Sequence, residues 1–178
     1  MGLLHIVRIS PSLNDRWWWP FIGAAAVVAF DQVTKYFATV QLMDGPVDVL
    51  PFLSFRYLCN TGAAFSILQG FTSFLTFVGF TFIAFFSWEI WRLRRTPNPP
   101  FLFEAALTLI LAGAAGNLID RVSQGCVVDF VHFVHGQWLN FPIFNVADSA
   151  VCIGAVCWIL AALLNREKRG AEAADDPD

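Results

Sequence analysis

The stretch FPIFNVADSAVCIGAVCWILAALL, residues 141–164, joins a polar segment to an apolar run long enough to cross a bilayer. The run carries a single charged residue, Asp148, close to its start. A helix beginning here would be capped by Asn145, and Asp148 would occupy its third position, where a negative charge suits the helix dipole. Capping alone can therefore explain both residues. A chemical role for Asp148 requires a partner elsewhere in the chain.

The composition is that of a membrane protein. Of the 178 residues, 57% are apolar and only 14% are charged, whereas soluble domains carry about 25% charge. We expect an all-α membrane protein with four transmembrane helices, a small extracytoplasmic β-sheet and a short surface helix. The sequence has no basic patch with interleaved aromatic residues, so we expect no nucleic-acid partner.

Four apolar stretches are long enough to span a bilayer, and we predict helices at about residues 17–40, 71–91, 101–119 and 146–164. The first opens with WWWP, typical of an aromatic belt, and it lacks a clean cleavage site, so we interpret it as a retained span. Residues 1–16 would then form a cytoplasmic lead. Residues 17–165 would form one four-span domain, and residues 166–178 a disordered acidic cytoplasmic tail.

The basic residues predict the orientation. Eight of the eleven lie on one side of the predicted spans: Arg8, Arg16, Arg92, Arg94, Arg95, Arg166, Lys168 and Arg169. By the positive-inside rule, both termini are cytoplasmic and segments 41–70 and 120–145 lie outside.

The outer segments have patterns of their own. Val47–Leu58 and Gly125–Val134 resemble strands, which could pair into a small sheet. Thr61–Gly70 is consistent with a short amphipathic helix on the surface. Cys59 and Cys126 fall in these segments, and a disulfide between them is possible in an oxidising compartment but not required by the sequence. Cys152 and Cys157 are expected to be small packing residues within the fourth span.

Polar residues gather at the outer ends of the predicted spans. Burying a carboxylate in a bilayer costs at least ~2.5 kcal/mol, so each needs an explanation. Asp31 and Lys35 lie one helical turn apart and can neutralise each other. Asn117 and Asp120 share a helical face, and Arg121 can neutralise Asp120. These structural explanations remain open beside a role in one polar site at the outer surface.

Asp129 is the candidate partner for Asp148. It lies in the motif VVDF, where apolar neighbours raise a carboxyl pKa. Taken alone, Asp129 is better explained as a strand residue whose side chain faces water. Two carboxylates in a partly apolar site tend to share a proton, so that one acts as base and the other as acid. An aspartic protease activates water in this way. The sequence does not assign acid and base within the pair.

Five motifs in order resemble those of the lipoprotein signal peptidases, or signal peptidase II: DQVTK (31–35), NTGAAFS (60–66), GNLIDR (116–121), VVDF (127–130) and FNVADS (144–149). The resemblance covers roughly residues 17–165. It implies an aspartic endopeptidase of the bacterial inner membrane, with its active site at the outer, periplasmic face. Such enzymes remove the signal peptide from diacylglyceryl-modified prolipoproteins, cutting before the lipidated cysteine.

The resemblance also implies residue roles. Asp129 and Asp148 match the catalytic pair, and the supporting residues are Asp31, Lys35, Asn60, Asn117, Asp120, Arg121 and Asn145. It implies no cofactor or metal, and inhibition by the cyclic peptide globomycin. We expect a monomer whose partners are prolipoprotein substrates and membrane lipid.

Three alternatives stay open at this stage. A proton-coupled transporter would use the charged residues within the spans, but these do not continue to the cytoplasmic side and no inverted repeat is visible. A metalloprotease would need Asp129, His132 and His135 as ligands, and the sequence lacks HExxH. A purely structural protein would leave the outer carboxylates without a reason.

Overall fold

The computed structural model describes residues 18–62, 67–96, 99–136 and 138–174. In chain order the elements are α1 (Trp19–Leu42), β1 (Val47–Leu50), β2 (Leu53–Asn60), α2 (Thr72–Leu93), α3 (Phe101–Gln124), β3 (Val127–His135), β4 (Leu139–Asn140) and α4 (Val146–Ala174). The four predicted helices and the two predicted strand segments are confirmed as such.

Three helical segments of the described chain are long and apolar enough to cross a membrane: Thr72–Leu93, Phe101–Gln124 and Val146–Arg166. α1 is not among them, although its 24 residues would extend about 36 Å. It contains Asp31 and Lys35, which lower its apolar character. The fourth span therefore stays a prediction for α1.

α3 is the central helix and packs against α1, α2 and α4. One hydrophobic core joins α1, α2 and α3 through seven buried residues: Ala24, Phe86, Ile90, Leu107, Ile110, Leu111 and Ala112. α3 continues to Gln124, five residues beyond the predicted span, and ends at Gly125, whose φ of 78° is a left-handed cap that favours glycine. Asp120 and Arg121 consequently lie on the helix itself.

Glycines allow α1 and α4 to approach α3 closely near its C-terminal end. A Cβ atom added at Gly116 would lie 2.6 Å from Oδ2 of Asp31, and one added at Gly113 would meet the backbone oxygen of Ala147. Small residues permit this approach between membrane helices. The polar side chains of three helices can thus come within hydrogen-bonding distance.

The strands form an antiparallel sheet in the order β1-β2-β3-β4. The β2–β3 register places Leu58 opposite Asp129 and Asn60 opposite Val127. The sheet packs against the C-terminal end of α1 through a second hydrophobic core, which consists of Ala38, Leu42, Val128 and Phe130. The sheet therefore lies next to the ends of the helices, as its sequence position predicts.

Cys59 and Cys126 form a disulfide bond, with their Cα atoms 5.5 Å apart. The bond joins the end of β2 to the residue before β3. Cys152 and Cys157 are free, and Cys152 is exposed on the surface of α4 instead of packed, which differs from its prediction.

Two predicted features differ or remain open. α4 continues as a helix to Ala174, where a disordered tail was expected from residue 166, because the segment is rich in helix-forming Ala, Glu, Lys and Arg. Residues 1–17 and 175–178 lie outside the described residues. The predicted surface helix over 61–70 falls partly on residues 63–66, which are also outside them, and residues 67–70 form a turn.

Candidate active site

Asp129 and Asp148 come together because the segment before α4 is hydrogen-bonded to β3. Phe144 exchanges backbone hydrogen bonds with Val131, at 3.0 Å and 2.9 Å between nitrogen and oxygen. Asp129 lies two residues before Val131 on β3, and Asp148 lies four residues after Phe144 in the first turn of α4. The backbone pairing thus sets the start of α4 beside the buried carboxylate of Asp129, which is 2% exposed.

The predicted cap of α4 by Asn145 is confirmed, and the structure adds a return bond to Asp148. The backbone N–H of Asp148 donates to Oδ1 of Asn145 at 2.8 Å, and the backbone N–H of Asn145 donates to Oδ2 of Asp148 at 3.2 Å. This arrangement has the form of a capping box, with a carboxylate in the first turn, where the helix dipole favours it. The cap fixes Asp148 in one position without using its other oxygen.

Three asparagine amides hold the two carboxylates. Asn145 donates to Oδ1 of Asp129 at 2.7 Å, and Asn60 donates to Oδ2 of Asp129 at 2.9 Å. Asn117 donates to Oδ1 of Asp148 at 2.8 Å. Together with the cap, these bonds give each of the four carboxylate oxygens one donor.

Hydrogen bonds to the side-chain oxygens of two of these asparagines fix the direction of their amides. Oδ1 of Asn60 accepts the backbone N–H of Gly62 at 2.9 Å, so its NH₂ group points to Asp129. Oδ1 of Asn117 accepts from the Lys35 ammonium at 2.9 Å, so its NH₂ group points to Asp148. The donors are therefore oriented before any substrate binds.

Lys35 is the centre of the supporting charges. Its ammonium is 3% exposed and lies 2.8 Å from Oδ2 of Asp31 and 2.9 Å from Oδ2 of Asp120. The pairing of Lys35 with Asp31 is confirmed. The expected neutralisation of Asp120 by Arg121 is not observed, because the packing of α1 against α3 pairs Asp120 with Lys35. Arg121 instead donates to the backbone oxygen of Gly62 at 3.0 Å, behind Asn60.

The two supporting aspartates tie separate elements to the site. Oδ1 of Asp31 accepts the backbone N–H of Ala147 at 2.8 Å, which joins α1 to the first turn of α4. Oδ2 of Asp120 accepts the backbone N–H of Val128 at 3.1 Å, which joins α3 to the strand that carries Asp129. Each buried carboxylate thus replaces a missing backbone partner.

Gln32 is a member of this network that the sequence reasoning missed. It donates to Oδ1 of Asp120 at 2.9 Å and to the backbone oxygen of Gly116 at 3.2 Å. Its place within DQVTK, between two residues assigned to the site, was the available signal. Its partners are 84 and 88 residues away, so only the packing of α1 on α3 identifies them.

The surroundings of Asp129 raise its pKa from the ordinary 3.8 to about 7. Burial is the main cause, and the nearby charge of Asp148 adds to it; hydrogen bonds from Asn60 and Asn145 and the charge of Lys35 oppose it. At pH 7 the Asp129 carboxyl group is therefore about half protonated. Asp148, Asn60 and Asn117 are partly exposed, so the pair can be reached from one side.

The residues expected for a metalloprotease do not form a ligand set. Asp129 and His132 are three residues apart on β3, so their side chains leave opposite faces of the strand. His132 is paired through Nε2 with Oδ1 of Asn140 at 2.9 Å. Within the described ranges no group of three His, Cys, Asp or Glu side chains could hold a metal ion.

Comparison with known proteins assigns the chain to a family. The family described as Signal peptidase (SPase) II matches residues 23–164, which include every residue of the network above. The chain belongs to the signal peptidase II family. Membership implies a peptidase, and the three apolar helices agree with a bacterial membrane protein.

Individual relatives agree with this assignment. The chain is 41% identical over 154 residues to a lipoprotein signal peptidase of Shewanella woodyi, with 83% of each chain covered. It is 41% identical over 155 residues to that of Acinetobacter baylyi, covering 85% of this chain and 84% of the relative. The one from Coxiella burnetii is 39% identical over 150 residues, covering 82% of this chain and 91% of the relative.

Two solved structures have the same fold. Both are described as bacterial membrane enzymes. The first superimposes with a TM-score of 0.74 at 34% identity, covering 84% of this chain and 90% of its own. The second has a TM-score of 0.68 at 36% identity, covering 82% and 92%. At these identities the likeness concerns more than the fold.

Proposed function

We propose that this protein is an aspartic endopeptidase that removes the signal peptide from diacylglyceryl-modified prolipoproteins, cutting before the lipidated cysteine. The observation that carries the proposal is the pair Asp129 and Asp148, held by three asparagine amides at the junction of β3 and α4. The names of the relatives supply the substrate class.

The pair activates water by sharing one proton. The ionised carboxylate takes a proton from a water molecule, which attacks the scissile carbonyl carbon. The protonated carboxyl group gives its proton to the carbonyl oxygen, and a tetrahedral diol forms. When the C–N bond breaks, the carboxyl group that took the water proton gives it to the leaving amine, and the other carboxylate recovers a proton from a diol hydroxyl. A pKa of about 7 for Asp129 supports this, because it keeps a proton on the pair at neutral pH. The proton belongs to the pair, so acid and base are properties of the pair.

The supporting residues keep the pair in place. The amides of Asn60, Asn117 and Asn145 fix the carboxylates. Lys35 holds the amide of Asn117, and Arg121 holds the loop that follows Asn60. Asp31 and Asp120 neutralise Lys35 and tie α1 and α3 to α4 and β3. None of these residues needs to contact the scissile bond. Their role is to keep the pair oriented without movement during the reaction.

The location follows from the same residues. The site lies at the ends of α3 and α4 beside the sheet, and the charge pattern puts this end outside, at the periplasmic face of the inner membrane with both termini cytoplasmic. The scissile bond of a signal helix that spans the bilayer would lie at this level. We expect α1 to be the fourth span, the outer sheet and residues 61–70 to clamp the lipidated segment, the enzyme to act as a monomer, and globomycin to block it.

The decisive experiment is cleavage of a diacylglyceryl-modified prolipoprotein by the purified protein in detergent. Wild type is compared with Asp129→Asn and Asp148→Asn, and with Asp44→Asn, a carboxylate control in the exposed turn after α1. Thermal unfolding verifies that each variant is folded. We expect both site variants to lose on the order of 10³-fold or more in rate, and the control to cut normally.

The alternatives predict other results. If either folded site variant cuts at the wild-type rate, the pair is misassigned and Asp120 becomes the next candidate. If wild type never cuts, a transport or structural role replaces the proposal. Loss of cleavage on adding a chelator would support a metalloprotease, whereas we expect the rate to be unchanged.

A further inference from the structure

A cavity lies at the other end of the sheet from the aspartate pair. Its volume is about 470 Å³, and its walls come from the β1–β2 hairpin and the end of β3; they include Asp48, Ser54, Arg56 and Val134. Val134 is five residues beyond Asp129 on β3, which corresponds to about 17 Å of extended strand. Arg56 is nearer, two residues before Leu58, which lies opposite Asp129 in the β2–β3 ladder. Neither aspartate of the pair lines the cavity, which is therefore distinct from the candidate active site.

Arg56 on the cavity wall has unused hydrogen-bonding capacity. Its Nε atom is buried, and the part of the chain that the structure describes provides no acceptor for it. Its guanidinium makes one long bond, from Nη2 to Oγ of Ser54 at 3.4 Å, and no described carboxylate lies within 4.0 Å of it. A guanidinium group has five N–H donors in a fork that matches phosphate or carboxylate oxygens. The wall thus presents a donor group suited to an anion.

An unpaired negative charge lines the same cavity. Asp48 lies opposite Ser54 in the β1–β2 ladder, and Ser54 is two residues from Arg56, so the three side chains leave one face of the sheet. A simple anion would meet repulsion from Asp48. A group with a negative and a positive charge a few bonds apart would satisfy both Arg56 and Asp48.

The hairpin that lines the cavity has an apolar surface. Val49 and Leu50 line the cavity and are 50% and 47% exposed, and Val47 and Phe52 of the same hairpin are 49% and 45% exposed. The hairpin begins five residues after α1 ends at Leu42. Exposed apolar residues next to the end of a membrane helix are suited to the boundary between headgroups and acyl chains. A ligand for this cavity can therefore carry hydrocarbon chains beside its charged part.

We propose that the cavity binds the headgroup of a zwitterionic aminophospholipid of the outer leaflet, such as phosphatidylethanolamine. Arg56 and Ser54 bind its phosphate, Asp48 accepts from its ammonium group, and the acyl chains lie along the apolar hairpin. A quaternary ammonium group has no N–H to donate to Asp48, and a glycerol headgroup has no positive charge. Binding would hold the sheet that carries Asp129 at the membrane surface.

The test is the thermal stability of delipidated protein in detergent, with four added probes: phosphatidylethanolamine, phosphatidylcholine, phosphatidylglycerol and water-soluble O-phosphoethanolamine. We expect saturating phosphatidylethanolamine to raise Tm by about 5 °C, and the other lipids to raise it less. O-phosphoethanolamine should have little effect at the same concentration because it lacks the acyl chains. An equal shift with O-phosphoethanolamine would indicate a site for small solutes and overturn the lipid assignment.

Variants identify the residues. Arg56→Gln should remove the shift, and Asp48→Asn should abolish the preference for phosphatidylethanolamine over phosphatidylglycerol. Arg95→Gln, which removes an exposed charge from the α2–α3 connection, should behave as wild type. If Arg56→Gln does not fold, Arg56→Lys, which keeps the charge but loses the fork, and Asp48→Asn carry the test.

Two further outcomes would overturn the proposal. One is a full phosphatidylethanolamine shift in both Arg56→Gln and Asp48→Asn. The other is an increased KM for prolipoprotein in lipid-free detergent in Arg56→Gln, which would assign the cavity to the substrate. We expect kcat in lipid-free detergent to match wild type in all these variants, because no hydrogen bond or ion pair among the described residues joins Asp48 or Arg56 to the aspartate pair.

Discussion

The two halves of the helix bundle use opposite chemistry around the same helix. In the half next to the sheet, α3 contributes Asp120 to a buried network with Asp31 and Lys35. In the other half, it contributes Leu107 and Leu111 to a core that contains only apolar side chains. The packing of α3 against its neighbours is continuous between the two halves.

The difference indicates which half serves stability and which serves chemistry. Burying apolar area stabilises a fold with few requirements on geometry. Buried ion pairs seldom stabilise more than apolar residues of the same volume, and they are strongly destabilising when one partner is lost. A network that costs stability and also orients the amide donors to Asp148 is explained by function. The predictions below test this division.

Lys35→Met should have the largest effect. The substitution leaves Asp31 and Asp120 buried without a cation, which costs about 3–5 kcal/mol of unfolding free energy. It also frees Asn117 to rotate, so cleavage should fall further than stability explains. Thermal unfolding and prolipoprotein cleavage below the Tm of the variant measure the two effects.

A compensated variant sharpens this result. Lys35→Met combined with Asp31→Asn and Asp120→Asn leaves no unpaired charge and should recover most of the stability while remaining poorly active. Recovery of full activity would contradict the assignment of the network to orientation of the site.

Leu107→Ala is the matched change in the apolar half. Leu107 is fully buried, and its truncation should cost about 2–5 kcal/mol, depending on how far the neighbouring helices close the cavity. Well below its Tm, the variant should keep a wild-type kcat because it touches no polar residue of the site. A large drop in kcat at full folding would show that the two halves are not separable.

Local patterns in the sequence were sufficient to predict the helices and the cap of α4. Apolar length identified all four helices, and the spacing of Asn145 and Asp148 identified the cap, because both depend on residues a few positions apart. Asp129 and Asp148 could be paired because both were expected at the outer surface. These inferences need topology but no side-chain geometry.

Partners that depend on helix rotation could not be identified. Arg121 is adjacent to Asp120 in the sequence, yet the rotation of α3 about its axis directs Asp120 towards α1, where it pairs with Lys35. Gln32 was overlooked for the same reason. The ends of α3 and α4 were placed too early because an apolar count does not register the cap at Gly125 or the helix-forming polar residues after Leu164.

Removal of the Cys59–Cys126 bond should have an intermediate effect on the free energy of unfolding. The bond lies in the half of the molecule that contains the sheet. The bond closes a separation of 67 residues and joins the strands that carry Asn60 and Asp129. Cys59→Ser with Cys126→Ser should lower the unfolding free energy by about 2–4 kcal/mol. Cys152→Ser is the control, since it removes a free thiol. Equal Tm values for wild type under oxidising and reducing conditions would contradict a stabilising bond.

Among the changes to the polar site, Asn60→Ala should have the smallest effect on rate and the most specific effect on pH dependence. Its amide donates to the Asp129 carboxylate and so lowers the pKa of that group from an even higher value; without it the pKa rises above about 7. Cleavage needs one proton on the pair, so its alkaline limb should move to higher pH, with about a tenfold loss of rate at the optimum. Asn140→Ala, an asparagine that contacts His132 instead, is the control.

The same pKa gives a stability test with a defined sign. Folded protein holds the Asp129 proton more tightly than unfolded protein, whose pKa stays near 3.8, so this group's contribution to stability is fully present below about pH 4. It declines as pH rises towards 7 and is constant above. Asp129→Asn removes that decline, and the variant should therefore gain stability relative to wild type between pH 4 and pH 8. A relative loss over this range would mean that Asp129 is stabilised as a carboxylate, and the shared proton on which the proposed mechanism depends would have no basis.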